Sequence, residues 1–171
     1  MYILSQVFVV IATILLGVTY FLKNKVKILS FCIFYNIFYG IHYLLLGALT
    51  GGAMNVVSLI RNIIFFQNGK KGKENKLIYL IILSLISVIF CIITYKDLFS
   101  IISLSASILS TYSVWQDNVF KYKIIAIPVS ICFLIYALHI KSLFAILTES
   151  ILLLSAIIGL IKYHKEKYRL T

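Results

Sequence analysis

"GGAMNVVSLIRNIIFF", residues 51–66, is an apolar run with an arginine set inside it. An arginine at the centre of a hydrophobic helix is costly unless it is neutralised or reaches water. Asn55, Ser58 and Asn62 stand at i, i+3 and i+7, which puts them on one helical face with Arg61 beside Ser58. If the run spans a bilayer, lipid offers that polar stripe no partner, and the stripe turns inward. Two readings of Arg61 stay open. It snorkels to the near end of a short span, six residues from Gln67. Alternatively it is a positive group facing a cavity, able to bind an anionic or carbonyl-bearing solute.

The rest of the chain decides that the run does span. Of 171 residues, 62% are hydrophobic and only 12% charged, and the mean hydropathy is +1.05; globular chains carry roughly 25% charge. Stretches near the ~20 residues that cross a bilayer recur from end to end. Seven spans are read at 2–22, 28–47, 50–67, 77–95, 98–116, 124–140 and 142–161, with a polar tail at 162–171. The spans leave no length for a soluble catalytic domain. The first segment lacks a basic leader and a small-residue cleavage site, so it reads as a retained span.

The net charge of +11 sits in short runs between the spans. Such runs are topology signals, and nucleic acid is not an expected partner. "KNKVK", "NGKKGKENK", "DNVFKYK" and the tail hold thirteen Lys and Arg, against Lys96 and Lys141 in the alternate connections. This predicts an outside N-terminus and a cytoplasmic C-terminus. Cys32, Cys91 and Cys132 lie in apolar stretches with no metal-binding or redox spacing.

Shifting the sequence on itself by 94 residues aligns 8–67 with 102–161; thirteen of the 60 positions match, most of them Ile or Leu. The order of connections also repeats: a basic loop after the first span of each half, a short turn after the second. The expected fold is therefore all-α and polytopic. It has a first three-helix repeat (1–67), a linker helix (77–95) and a second, parallel repeat (98–161).

With "NVVSLIRN" (55–62) as its most recognisable stretch, the whole chain resembles the YgjV-type bacterial inner-membrane protein family. That family is grouped with the MtN3, PQ-loop and SWEET transporters, and the three-plus-one-plus-three layout is similar to theirs. The resemblance implies a carrier with its solute near the midplane. SWEET-type carriers are similar in having paired asparagines in spans three and seven; here the pair is Asn55 and, 94 residues on, Glu149. No Pro-Gln dipeptide occurs, and Pro128 is the sole proline. SWEET sugar carriers place tryptophans beside the substrate, whereas the only tryptophan here is Trp115, near the end of span five. A polar or zwitterionic solute is expected rather than a simple sugar.

Glu149 itself is either a structural carboxyl, bonded to neighbours such as Thr148 or paired with Arg61, or part of a solute site that admits proton coupling. Span two carries Tyr35, Asn36, Tyr39, His42 and Tyr43. These could line a site, or serve as interfacial aromatics and interhelical hydrogen bonds, the latter suiting Tyr43 well and Asn36 poorly. Ser103, Ser107 and Thr111 form a small-residue series that favours close helix packing over pore lining.

Paired-carboxylate, HExxH, CxxC and phosphate-loop patterns are absent from the sequence, so neither an enzyme nor a cofactor or metal site is expected. The expected substrate-binding set is Asn36, Asn55, Arg61 and Glu149, with Tyr35 and Tyr39 as aromatic walls. Membrane lipid and a small-molecule solute are the expected partners, and self-association stays open. A non-transporting accessory or immunity protein of the inner membrane is the alternative.

Overall fold

The computed structural model describes residues 2–19, 22 and 24–169, with the backbone alone at 159, 160 and 162–169. Among these residues the chain forms seven helices: α1 (Tyr2–Thr19), α2 (Lys25–Leu45), α3 (Leu49–Lys70), α4 (Leu77–Ile93), α5 (Leu98–Trp115), α6 (Val119–His139) and α7 (Leu143–Arg169). α1, α2, α3, α5 and α6 are long and apolar enough to cross a membrane. α4 and the apolar part of α7, Leu143–Ile158, are shorter.

Capping explains where helices depart from the expected bounds. The Asn24 carboxamide accepts from the Lys27 amide and starts α2 inside "KNKVK". Asn118 accepts from the amides of Phe120 and Lys121 and starts α6 at Val119, five residues before the expected 124. Each cap satisfies amides that have no partner within the helix. At the other end, α7 runs on to Arg169, so most of the expected tail continues the helix. Leu170 and Thr171 of that tail lie outside the described residues.

The two caps are 94 residues apart, and so are two turns. After α2, Ala48 N–H donates to Tyr43 O (2.9 Å) and Gly47 N–H to Leu44 O (3.0 Å). After α6, Ser142 N–H donates to Ala137 O (3.1 Å) and Lys141 N–H to Leu138 O (3.2 Å). These are the bonds of a Schellman ending, which needs a left-handed residue just past the helix. Gly47 (φ 69°) and Lys141 (φ 53°) occupy those places.

Packing joins consecutive helices, α1–α2, α2–α3, α5–α6 and α6–α7, and closes the circuit through α3–α5 and α1–α7. Six helices thus form a ring, while α4 lies outside it against α3 and α5. One end of the ring is rich in lysine, with the connections 71–76 and 116–118, Lys25 and Lys27 opening α2 and Lys121 in the first turn of α6; the other carries the short turns (46–48, 94–97, 140–142).

Burial runs opposite to that of a water-soluble domain. Among the described residues, as many polar or charged side chains are buried as hydrophobic ones, twenty of each. Ile3, Ile14, Ile92, Ile93 and Leu154 meanwhile stand exposed on the outside. An apolar exterior over a polar interior suits a hydrocarbon solvent. Ser103, Ser107 and Thr111 are fully buried, and Ser107 Oγ lies 3.4 Å from Ser87 Oγ of α4. The small-residue series therefore packs α5 closely against its neighbours.

Candidate functional site

A cavity of about 80 Å³ lies inside the ring, and every one of the six ring helices lines it while α4 does not. All six residues of the expected set, Tyr35, Asn36, Tyr39, Asn55, Arg61 and Glu149, are on its wall. The remaining wall includes Ser110 and Ser113 from α5 and Tyr122, Ser130 and Phe133 from α6. The volume holds a few waters or a very small solute, well under the ~300 Å³ at which pockets for larger ligands begin.

Arg61 does not snorkel. It is 3% exposed, and its guanidinium reaches across to α5. Nε donates to Asn62 Oδ1 (3.1 Å), and Nη1 donates to Ser110 Oγ (3.0 Å) and Thr111 Oγ1 (3.3 Å). No described carboxylate forms an ion pair with it. All its bonds from Nε and Nη1 go to neutral acceptors, leaving Nη2 without a bond to a described residue. The close contact of α3 with α5 makes this reach possible.

Glu149 is 1% exposed and accepts at Oε1 from the Tyr39 hydroxyl (3.2 Å). Ser130 lies beside it. Thr148, its neighbour on α7, bonds instead to Thr13 of α1. Asn36 donates to Cys32 O (2.8 Å) and Asn55 to Gly51 O (3.0 Å). Each amide nitrogen is thus turned back on its own helix, and each amide stays on the cavity wall. Arg61 and Glu149 are the only formally charged side chains of that wall.

Towards the short-turn end the ring is filled by Val9, Ala12, Tyr39, Tyr43, Tyr136, Ala137 and Ala145. Tyr43 is fully buried here, not interfacial as expected, because its ring meets edge-on both Tyr39, one turn back on its own helix, and Tyr136 across the ring axis. Two bonds tie the halves together at this level. The Tyr136 hydroxyl accepts from Gly51 N–H (3.1 Å), and His42 Nε2 lies 3.1 Å from Ser142 Oγ. His42 Nδ1–H donates to Ser5 O (2.9 Å), so this histidine is a fully partnered bundle residue outside the cavity wall. Gly51 must be small: a Cβ there would come within 2.8 Å of Tyr136 and 3.1 Å of Tyr43.

The contribution of α6 was missed from sequence, although the 94-residue shift contained it. Tyr35, Asn36 and Tyr39 correspond to Val129, Ser130 and Phe133, all on the wall. Leu16 with Ser110, Cys32 with Ala126, Asn55 with Glu149 and Ser58 with Leu152 are further wall pairs at that spacing. Substituting small or apolar partners for polar ones hid the second half of the site. Trp115 stands off the wall, donating from Nε1 to Asn75 O (2.8 Å).

Comparison with known proteins places the sequence. A family model described as "Imp-YgjV: Bacterial inner membrane protein" matches residues 3–167. No curated protein and no solved structure matches the chain.

Proposed function

The chain belongs to the Imp-YgjV family of bacterial inner membrane proteins, and from that premise we propose that it carries a small polar solute across the inner membrane through the cavity of the six-helix ring. In this reading all seven helices span the membrane. α1–α3 and α5–α7 are parallel repeats joined by α4, a SWEET-like layout with its pseudo-two-fold axis along the membrane normal. Support comes from the twin caps and twin Schellman endings at one fixed spacing. The helix neighbours agree, since exchanging the halves turns the α3–α5 contact into α7–α1. The lysine-rich end faces the cytoplasm, which leaves the N-terminus outside and the C-terminus inside.

The observation that carries the carrier reading is the pair of buried charges, Arg61 and Glu149, on one cavity wall inside a ring of helices. Each is unfavourable in a membrane interior, and packing alone does not call for either. Asn36, Asn55, Arg61 and Glu149 form the binding site, with Tyr35 and Tyr39 as its aromatic walls. Arg61 suits an anionic group and Glu149 a donor, so a polar or zwitterionic solute fits better than a simple sugar.

The test is uptake of a panel of labelled small solutes into proteoliposomes. Wild type should accumulate at least one of them. Asn55→Ala and Glu149→Ala should fall to the level of protein-free vesicles while remaining monodisperse in detergent. Normal uptake by both variants removes this site. A folded protein that takes up nothing gives way to the non-transporting accessory or immunity reading.

A further inference from the structure

Arg61 and Glu149 face the same small space, yet neither has an ion partner among the described residues. The titratable or charged groups near Glu149 are Tyr39 and Tyr43 on α2 and, on the cavity wall, Tyr35, Cys32, Tyr122 and Arg61. α1 and α5 bring no titratable group to that wall. At neutral pH tyrosine and cysteine side chains are ordinarily uncharged. With Glu149 ionised, the side chains of the cavity wall carry one positive and one negative charge, and their sum is zero.

Binding changes that balance. A carboxylate seated on Arg61 adds one negative charge, and a helix bundle in hydrocarbon tolerates uncompensated charge poorly. We propose, resting on the carrier reading, that the solute is a small monovalent organic anion and that Glu149 takes up one proton with it. The carboxylate docks on the fork left open at Nη2 of Arg61, keeping its charge. The Glu149 carboxylate accepts a proton from the same aqueous side and becomes the neutral acid. When the solute leaves on the far side, that proton leaves too. One anion and one proton cross together, and no net charge moves.

The Tyr39 hydroxyl makes both states of Glu149 satisfiable. It donates to the ionised carboxylate at 3.2 Å, and it can accept from the protonated one. A lysine or arginine in that place would hold the group permanently ionised. A zwitterionic solute needs no proton, because its own ammonium balances its carboxylate. The two solute classes therefore predict different energetics from the same site.

The experiment uses the full chain in two preparations. In detergent and weak buffer on the alkaline side, where Glu149 starts ionised, a pH indicator follows proton uptake as formate, acetate, L-lactate or pyruvate is added. The expected result is one proton per anion bound, and none for E149Q. In proteoliposomes clamped with potassium and valinomycin, the same labelled anions are compared with glycine. Anion uptake should rise severalfold with acid outside, above protein-free vesicles, and ignore the membrane potential. E149Q, neutral at every pH, should lose the acid stimulation, and its residual uptake should follow the potential. Glycine uptake indifferent to the pH gradient, without anion uptake, overturns this proposal and leaves the carrier reading standing. Uptake of no solute by folded protein overturns both.

Discussion

A buried arginine has to be held as well as neutralised, and Arg61 is held by geometry that lysine lacks. Two nitrogens of a rigid fork reach Asn62, Ser110 and Thr111 together, which fixes the direction of the third. Arg61→Lys keeps the charge but has a single nitrogen to divide between the α5 hydroxyls and, in the carrier reading proposed above, the solute. Losing one charge-assisted hydrogen bond, about 1.5–3 kcal/mol, predicts about ten- to hundredfold weaker solute binding. The change should appear as a raised KM for uptake, with the detergent-solubilised protein still monodisperse. The inward turn of Arg61 was legible because the cost of a charge in hydrocarbon acts on that residue wherever its neighbours are. Its actual partners on α5 were not, since Ser110 and Thr111 gain meaning only through the α3–α5 contact. Tyr43 shows the same limit: a tyrosine near a helix end looks interfacial until a second tyrosine, Tyr136, is found across the ring axis.

At the level of helices and turns, one motif is built twice with unequal materials. Gly47 adopts φ 69° at no steric cost, whereas Lys141 holds φ 53° with a side chain attached. The left-handed conformation costs an ordinary residue roughly 1–2 kcal/mol. Gly47→Ala should therefore lower stability by about that amount. Lys141→Gly relieves the same strain but frees the unfolded chain by about 0.5–1 kcal/mol, so it should be neutral or slightly stabilising. Thermal unfolding of the two variants in detergent measures the asymmetry. The existence of all seven helices was plain from apolar runs of membrane length. Their starts were less plain, because Lys121 and Lys123 mark a loop by composition while the Asn118 cap takes them into the first two turns of α6. A cap is a single residue acting through one side chain, and hydropathy averages it away.

For the whole molecule, the prediction is one of sidedness. Lys73 and Lys96 are exposed, in connections at opposite ends of the ring. In a background without native cysteines, Lys96→Cys should react with an impermeant maleimide in intact cells. Lys73→Cys should react only after permeabilisation. The reverse pattern would invert the proposed orientation. The 94-residue shift and the alternating basic connections could both be read from the chain. Closure of the ring through α1 and α7 could not, because no local pattern records which distant helices touch. That closure turns two separate polar stripes into one enclosed site.

Cys32 sits on the cavity wall, and the residue 94 positions later is Ala126. Cys91 and Cys132 lie away from the wall. The chain thus carries its own chemical tag, one thiol of three on the path a solute would take in the carrier reading. A charged thiol reagent small enough to follow that path would mark Cys32 first, and the rate of marking would clock how often the ring admits water. Slowing by a bound solute would then show occupancy directly, without a transport measurement and without an engineered reporter.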